Sequence, residues 1–218
     1  MKKFIVSIDQ GTTSSRAILF NVSGNPIYTS QLEFTQYFPK SGWVEHDPEE
    51  IWNTTKKTLK DVIKKAKRLR GNILAIGITN QRETTILWDK KNGKPVYNAI
   101  VWQDRRQAEF CKKLKKQNKE TIIFNKTGLF IDSYFSGTKI KWILDNIPLA
   151  KKLMNKKQLL FGTIDSFLIW RLTKGKVHAT DATNASRTMI YNIGSNKWDD
   201  TILKILKIKK QVKLFITL

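Results

Sequence analysis

Residues 8–16 read IDQGTTSSR and stand between two apolar segments, residues 3–8 and 17–22. Both segments have the composition of β-strands, so the stretch predicts two strands joined by a tight polar turn. Gly11 lets the backbone come close to a ligand, and successive backbone N–H groups in such a turn can surround an anion. The stretch therefore predicts a β-hairpin that holds phosphate.

The side chains of this hairpin suit a nucleotide phosphate and its metal ion. The hydroxyls of Thr12, Thr13 and Ser14 can donate to phosphate oxygens, and Arg16 adds a fixed positive charge. Asp9 can hold a hydrated Mg²⁺ ion, because this ion prefers carboxylate and water oxygens. The sequence contains no P-loop and no Gly-x-Gly-x-x-Gly fingerprint, so the hairpin is the predicted nucleotide site.

The chain of 218 residues has a formal net charge of +22, because 40 Lys and Arg residues oppose 18 Asp and Glu residues. Such a charge favours either an anionic polymer as partner or a solvated basic surface. The basic residues are spread along the whole chain, and no nucleic-acid-binding motif accompanies them. We therefore favour the solvated surface and expect no nucleic-acid partner.

Other residue types exclude several classes of site. Cys111 is the single cysteine, which excludes a disulfide within one chain and a cysteine-based zinc site. His46 and His178 lack the spacing of a metal site. No apolar segment has the length of a membrane span or of a signal-peptide core. The sequence predicts a cytoplasmic protein without a membrane partner.

The order of elements indicates an α/β domain. Three antiparallel strands precede a helix that begins at Asp47 and Pro48, with acidic residues in its first turn, and ends at Gly71. A short buried strand over residues 73–78 follows, and further strands then alternate with helices. This pattern predicts a mixed sheet with flanking helices, in one domain over residues 1–208.

The second half of the chain carries weaker local signals. Helices are predicted over residues 105–117, 136–146, 166–173 and 198–207, with Ser136 and Asp165 as the N-cap residues of the second and third. The apolar pattern of residues 178–193 favours β-structure.

A second polar group, TNQRETT over residues 79–85, follows the predicted buried strand. Loops at strand ends are where α/β proteins place ligands. Arg82 and Glu83 together supply donors and acceptors, which suits a polyol whose hydroxyls both donate and accept. A solvated turn with a surface ion pair explains the same residues equally well.

Two aromatic residues extend the polyol hypothesis. Trp102 follows a predicted strand, where its ring can cover the C–H face of a sugar or polyol. From the pattern alone, a Trp in the hydrophobic core is the simpler explanation. Tyr134 precedes a predicted helix, where its hydroxyl can reach a ligand or its ring can form a hydrophobic staple.

Together these motifs resemble the FGGY family of carbohydrate kinases, and within it the glycerol kinase branch. The similar stretches are DQGTTSSR at 9–16, GWVEHDP at 42–48, GITNQRETT at 77–85, NAIVWQ at 98–103, residues 134–145, and TNASRTM at 183–189. The resemblance runs from about residue 4 to residue 208, and NQRETT is specific to the glycerol branch.

The resemblance implies a ribonuclease H-like, actin-like ATPase domain. It also implies ATP-dependent phosphorylation of glycerol to sn-glycerol 3-phosphate in glycerol catabolism. The implied glycerol-binding residues, here called the polyol residues, are Arg82, Glu83, Trp102 and Tyr134. The implied contacts to the phosphates of ATP or ADP, here called the phosphate residues, are Thr12, Thr13, Ser14 and Arg16, with Asp9 near Mg²⁺. Phosphoryl transfer depends on such positioning and charge neutralisation more than on covalent chemistry.

The resemblance also indicates what these residues lack. It covers the N-terminal domain of a two-domain family, and it implies that the C-terminal domain supplies the general base and the adenine pocket. Residues 209–218 read KKQVKLFITL, which departs from the family pattern and suggests an aberrant tail after a frameshift or a gene split. We therefore expect negligible kinase activity from the chain alone, since loss of a general base costs about 10²–10⁴-fold.

Several partners and alternatives follow. A separately encoded C-terminal domain is the expected protein partner of a split enzyme, and a homo-oligomer is a further expectation. The first alternative is a non-catalytic polyol- or nucleotide-binding module. The second is a basic protein that associates with nucleic acid, whose DNA affinity would fall steeply with salt.

Overall fold

The structure is a computed structural model that describes residues 1–209 and residue 212. These residues fall into two compact units. The first unit comprises Met1–Gln36 and His46–Gln81, and the second comprises Tyr37–Glu45 and the described residues from Arg82 onward. The predicted segment 209–218 lies largely outside the described residues.

The first unit is a mixed β-sheet with a helix packed on it. Its strands are β1 (Lys2–Gln10), β2 (Ser14–Asn21), β3 (Pro26–Glu33) and β5 (Gly71–Asn80), in the order β3-β2-β1-β5. The two-residue strand β4 (Glu45–His46) comes between β3 and β5 in sequence. Strand β2 is antiparallel to β1 and β3, whereas β5 is parallel to β1. The predicted antiparallel start of the sheet is confirmed.

Helix α1 (Pro48–Arg68) closes the core of the first unit. It begins where predicted, because the Asp47 side chain accepts a hydrogen bond from Glu49 N at 2.8 Å. Alternate residues of β1 and β2 are buried together with Ile51 and Val62 of the helix. Removing these apolar side chains from water is the main stabilisation of the unit. The buried strand residues are Phe4, Val6, Ile8, Ala17 and Leu19.

Two predictions about the next segment are wrong. Arg70, and not Gly71, adopts the left-handed conformation after α1, with a φ of 53°, and Gly71 opens strand β5. A Cβ atom at Gly71 would lie 2.2 Å from the Phe4 ring, so close packing requires the glycine. Strand β5 is also not buried: it is an edge strand, and Leu74 and Ile76 are 57% and 45% exposed.

The second unit is mainly helical, with short strands. Its helices are α2 (Ala108–Lys116), α3 (Glu120–Thr127), α4 (Ser136–Asn146), α5 (Pro148–Asn155), α6 (Ile164–Leu172), α7 (Ala182–Ala185) and α8 (Asp200–Ile205), with a 3₁₀ turn over Ser186–Thr188. Its strands are β6 (Ile86–Asp89), β7 (Ala99–Ile100), β8 (Leu159–Gly162), β9 (Tyr191–Asn192) and β10 (Lys197–Trp198). Strand β6 pairs with β8, and β9 pairs with β10, both antiparallel. One hydrophobic cluster, which includes Ile100, Ile123, Ile140 and Ile202, joins α2, α3, α4, α5 and α8 to β6, β7 and β8.

The structure corrects three local predictions in this unit. Residues 178–193 contain α7, the 3₁₀ turn and the two-residue strand β9, so they carry little β-structure; Asp181 caps α7 by accepting from Asn184 N at 2.7 Å. Phe135 and Thr163 occupy the N-cap positions that were predicted for Ser136 and Asp165. Asp165 is instead a buried residue of α6 that accepts from Thr180 Oγ1 at 2.6 Å, and burial raises its pKa.

Helices α3 and α5 were not predicted.

Across the described residues, no helix combines the length and the apolar character that a membrane span needs.

Candidate functional site

The first candidate site is the turn between β1 and β2. The turn is closed by Gly11 N, which donates to Ser14 O at 2.9 Å. Strand register places Asp9 opposite Arg16 at the base of the turn. The phosphate residues and the predicted metal ligand therefore share one short segment of the first unit, as the sequence predicted. Their contacts to a ligand stay a prediction.

An ion pair between Asp9 and Arg16 was not predicted. The two side chains are 30% and 43% exposed, so the pair is weakly held and can exchange for other ions. No group of three or more potential metal ligands occurs among the residues that the structure describes. Asp9 therefore belongs to no such group among the described residues. This fits Mg²⁺, which usually keeps several waters and takes its other ligands from substrate phosphates.

The hydroxyl residues of the turn differ in exposure and in contacts. Thr13 is exposed, and its carbonyl oxygen accepts from Phe34 N at 3.3 Å. Ser14 is half-buried, and its Oγ accepts from Gln31 Nε2 at 2.9 Å. Strand β3 and the residue after it thus tie the outer side of the turn to the sheet.

A buried network supports the inner side of the turn. Gln81 Nε2 donates to Gly11 O at 3.1 Å, and Gln36 Nε2 donates to Thr12 O at 3.0 Å. His46 lies between the two amides, with Nε2 at 2.6 Å from Gln36 Oε1 and Nδ1 at 3.2 Å from Gln81 Nε2. These partners fit a neutral imidazole with its proton on Nε2. Burial lowers the pKa of His46 to about 4.

Sequence reasoning missed this network. It considered His46 only as a metal ligand, and it gave Gln36 no role. The three residues are separated by 10 and 35 positions, so only the folded chain brings them together. The available signal was the position of His46 in GWVEHDP, directly before the N-cap residue Asp47.

The second candidate site surrounds Glu83 in the second unit. The Glu83 side chain is only 4% exposed, and its backbone φ of 65° is uncommon for a residue with a side chain. Its carbonyl oxygen accepts from Ser136 Oγ and from Thr85 Oγ1, both at 3.0 Å. Its carboxylate Oε1 accepts from Arg187 Nε at 2.6 Å. The backbone and one carboxylate oxygen of Glu83 are therefore held from three sides.

Aromatic rings line the same region. The rings of Trp102 and Tyr134 have centroids 5.5 Å apart, and those of Tyr134 and Phe135 are 5.3 Å apart. The Arg187 guanidinium lies 5.0 Å from the Phe135 ring and 5.7 Å from the Tyr134 ring. The structure thus connects Glu83, Trp102 and Tyr134 through Arg187, which sequence reasoning gave no role.

Arg82 is exposed, unlike its neighbour Glu83. Within the described chain, its side chain makes no hydrogen bond and no ion pair with another residue. Its charge is therefore available to a ligand.

A buried lysine anchors the turn that carries Tyr134. The Lys139 ammonium donates to Ser133 O at 3.0 Å and also to Tyr134 O. Asp132 Oδ1 accepts from Tyr134 N at 2.8 Å and fixes the same turn from its other end. Lys139 is fully buried, and desolvation lowers its pKa to about 7. Sequence reasoning missed this residue, although it lies in the quoted stretch 134–145.

The profile of the FGGY family of carbohydrate kinases, N-terminal domain, matches residues 4–215. The chain belongs to the FGGY family. The match includes both candidate sites and extends into the segment 209–218 that was expected to be aberrant.

Curated relatives in the FGGY family are similar over almost the whole chain. A glycerol kinase from Alkaliphilus oremlandii is 60% identical over 212 residues, which are 97% of this chain and 42% of the relative. A glycerol kinase from Malacoplasma penetrans is 59% identical over 211 residues, which are 97% of this chain and 42% of the relative. The chain thus spans 42% of the length of these relatives.

Solved structures of FGGY kinases show the same fold. Plasmodium falciparum glycerol kinase with ADP superposes with a TM-score of 0.90 at 38% identity, over 95% of this chain and 41% of that chain. A gluconate kinase from Lactobacillus acidophilus superposes with a TM-score of 0.85 at 27% identity, over 100% of this chain and 42% of that chain. The predicted actin-like ATPase fold, with its mixed sheet and flanking helices, is confirmed.

Proposed function

We propose that this chain is the substrate- and phosphate-binding part of a kinase that transfers the γ-phosphoryl group of ATP to glycerol. The product is sn-glycerol 3-phosphate. The observation that carries the proposal is the cluster of Glu83, Arg187, Trp102 and Tyr134, which joins a fixed carboxylate to aromatic rings. The similarity to curated glycerol kinases supports the choice of polyol.

Each polyol residue has a role that follows from its chemistry. The second carboxylate oxygen of Glu83 accepts from a glycerol hydroxyl, and the exposed Arg82 donates to another. The Tyr134 hydroxyl can do both, and the Trp102 ring covers the carbon side of the ligand. Three carbons with three hydroxyls suit a site that combines polar groups with an apolar wall.

The β1–β2 turn is proposed to hold the ATP phosphates. Backbone N–H groups and the hydroxyls of Thr12, Thr13 and Ser14 donate to phosphate oxygens, and Arg16 balances their charge. Asp9 is the proposed contact to a Mg²⁺ ion, which neutralises phosphate charge when it is bound. The network around His46 keeps the turn in one shape, so that its donors are oriented before the nucleotide arrives.

We propose that the general base and the adenine pocket belong to the part of the relatives that this chain does not span. A C-terminal domain, encoded separately or together with this chain, is then the required partner. A polyol-binding module without catalysis is the second candidate function, because the cluster around Glu83 can bind a polyol without the phosphate residues.

Coupled measurement of glycerol-dependent ADP formation tests the proposal. The chain is assayed alone and then with the remaining C-terminal part of the Alkaliphilus oremlandii glycerol kinase. We expect turnover only from the mixture. Saturable glycerol binding without turnover in the mixture supports the binding module, and absence of both binding and turnover contradicts the proposal.

A further inference from the structure

We propose that Arg187 is a positioning residue of the polyol site, which holds one oxygen of the Glu83 carboxylate so that the other oxygen meets the substrate in a fixed direction. This inference rests on the proposed function, because it takes a polyol as the ligand. It adds a residue of the TNASRTM stretch to a site that the sequence assigned to four other residues.

The contact between the two side chains is a single, short hydrogen bond. Arg187 Nε donates to Glu83 Oε1 at 2.6 Å, without the two parallel bonds of a forked arginine–carboxylate pair. Glu83 Oε2 accepts no hydrogen bond from another described residue. One oxygen is therefore fixed by the protein, and the other remains available to a hydroxyl donor.

The backbone of Glu83 makes this arrangement directional. A left-handed φ and two hydrogen bonds to its carbonyl oxygen fix where the side chain starts. The contact with Arg187 then fixes the position of the carboxylate group at the other end of the side chain. With both ends held, rotation about the side-chain bonds is restricted before a ligand binds, which lowers the entropic cost of binding.

Arg187 is itself held in place by its surroundings. It lies in the 3₁₀ turn Ser186–Thr188, where Thr188 Oγ1 donates to Ala185 O at 2.7 Å. Its guanidinium lies near the faces of Phe135 and Tyr134, at 5.0 and 5.7 Å from the ring centroids. A planar guanidinium suits this position between rings and a carboxylate better than an ammonium group does.

The pair also has an energetic function. The Glu83 side chain is 4% exposed, and a buried carboxylate without a partner is costly. Arg187 is 32% exposed, so it can neutralise Glu83 and still reach the solvent side of the site. Loss of Arg187 therefore both frees the carboxylate to rotate and favours its withdrawal towards water.

A matched control pair lies elsewhere in the same unit. Lys126 Nζ lies 2.7 Å from Asp199 Oδ2, and the two side chains are 32% and 8% exposed. This pair has nearly the same burial as Arg187 and Glu83, but it contacts none of the polyol residues. Lys126→Met therefore measures what the loss of such an ion pair does to folding alone.

The test is a glycerol titration of the ¹⁵N-labelled chain, followed through the indole N–H signal of Trp102 and assigned with Trp102→Phe. The panel is the unsubstituted chain, Arg187→Met, Arg187→Lys and Lys126→Met, with thermal unfolding measured for each. Arg187→Gln replaces Arg187→Met in the panel if that variant does not fold. The same panel, mixed with the C-terminal part of the relative, gives the KM values for glycerol and for ATP.

We expect Arg187→Met to weaken glycerol binding by about tenfold to a hundredfold, because it misplaces a contact group by about an ångström. The KM for ATP should stay unchanged, Arg187→Lys should recover only part of the affinity, and Lys126→Met should bind glycerol normally. Equal glycerol affinity in Arg187→Met and the unsubstituted chain would overturn the role of Arg187 alone. Absence of saturable binding by the unsubstituted chain, alone and in the mixture, would overturn the proposed function and this inference with it.

Discussion

The two candidate sites fix their key groups by opposite means. In the first unit, neutral side chains around His46 hold the backbone carbonyls of a turn. In the second unit, charged groups do the holding: Arg187 binds the Glu83 carboxylate, and the Lys139 ammonium binds two carbonyl oxygens. A phosphate-binding turn binds its ligand through backbone N–H donors. The neutral amides and imidazole that hold this turn add no charge of their own near the phosphate. A polyol site binds its ligand through side chains, and charge-assisted hydrogen bonds from Arg187 and Lys139 orient those side chains strongly.

The largest expected effect concerns Lys139. Its pKa is about 7 in the folded chain because of burial, against about 10.4 for an unfolded lysine. The unfolded chain therefore binds more protons between these values, and the free energy of unfolding should rise with pH from 7 to 10. The carboxylates of Asp104, Glu83 and Asp132 also act on the ammonium and oppose the shift.

Urea unfolding of the second unit at pH 7 and pH 9.5 measures this effect. Lys139→Met removes the titrating group, so its unfolding free energy should rise less over the same interval. An identical pH dependence in both chains would show that the Lys139 ammonium is not destabilised by burial. Burial of the Lys139 ammonium would then lower the free energy of unfolding by less than its complete burial suggests.

The next effect concerns His46 and occurs at acidic pH, whereas that of Lys139 occurs at alkaline pH. Its pKa is about 4 in the folded chain, against about 6.5 when unfolded, because burial disfavours the imidazolium. Stability is fully present above pH 6.5 and is lost as the pH falls towards 4, by about 3 kcal/mol for this shift.

Unfolding of the first unit, followed by hydrogen exchange of α1 amides at pH 4.5 and pH 7, measures the loss. His46→Gln keeps an amide in the network and should flatten the dependence. If the substituted chain loses as much stability in acid as the unsubstituted one, His46 is not the titrating group. The neutral form of His46 would then not account for the acid sensitivity of the first unit.

Glu83→Gln tests how far the polyol site depends on charge. It keeps the size of the side chain but leaves Arg187 without its anionic partner. We expect glycerol affinity to fall by about 10²-fold, because a buried hydrogen-bonded charge pair is broken. Isothermal titration with glycerol and, separately, with ADP measures the change, and Asp199→Asn serves as the control variant. Equal loss of ADP and glycerol affinity would indicate general unfolding rather than a polyol site.

The smallest effect on stability is expected from Asp9→Asn. The ion pair with Arg16 is partly exposed on both sides, so its loss should change the unfolding free energy by less than about 1 kcal/mol. Binding of ADP in the presence of Mg²⁺ should weaken several-fold, whereas binding of ADP in EDTA should not. Fluorescence titration with a labelled nucleotide compares the two conditions. An effect of the same size without the metal would remove Asp9 from the proposed Mg²⁺ contacts.

Local signals were sufficient for the elements that frame the first site. The hairpin and the start of α1 follow from alternation, a turn and an N-cap, which are all short-range features. The residues that complete the sites are far apart in sequence. Arg187 and Glu83 are separated by 104 positions, and Gln81 and Gln10 by 71. Nothing in the residues of one segment indicates such a distant partner.

Burial was the other quantity that the sequence did not determine. The apolar residues of β5 have the same composition as those of a central strand, yet β5 lies at the edge of its sheet. Gly71 was assigned to a helix end for its conformational freedom, whereas the Phe4 ring requires its small size. Edge position and close packing depend on neighbours that local patterns do not contain.

The exposed edge of β5 also bears on how the chain behaves in solution. Leu74 and Ile76 are exposed on this last strand of the described sheet, and an exposed apolar edge is a template for pairing with another molecule. The net charge of +22 opposes such pairing by mutual repulsion. Salt screens this repulsion over about 10 Å at 0.1 M ionic strength and leaves the apolar edge unchanged. Colloidal stability should therefore decrease as salt is added, so dilute buffers are the conditions under which the chain stays dispersed.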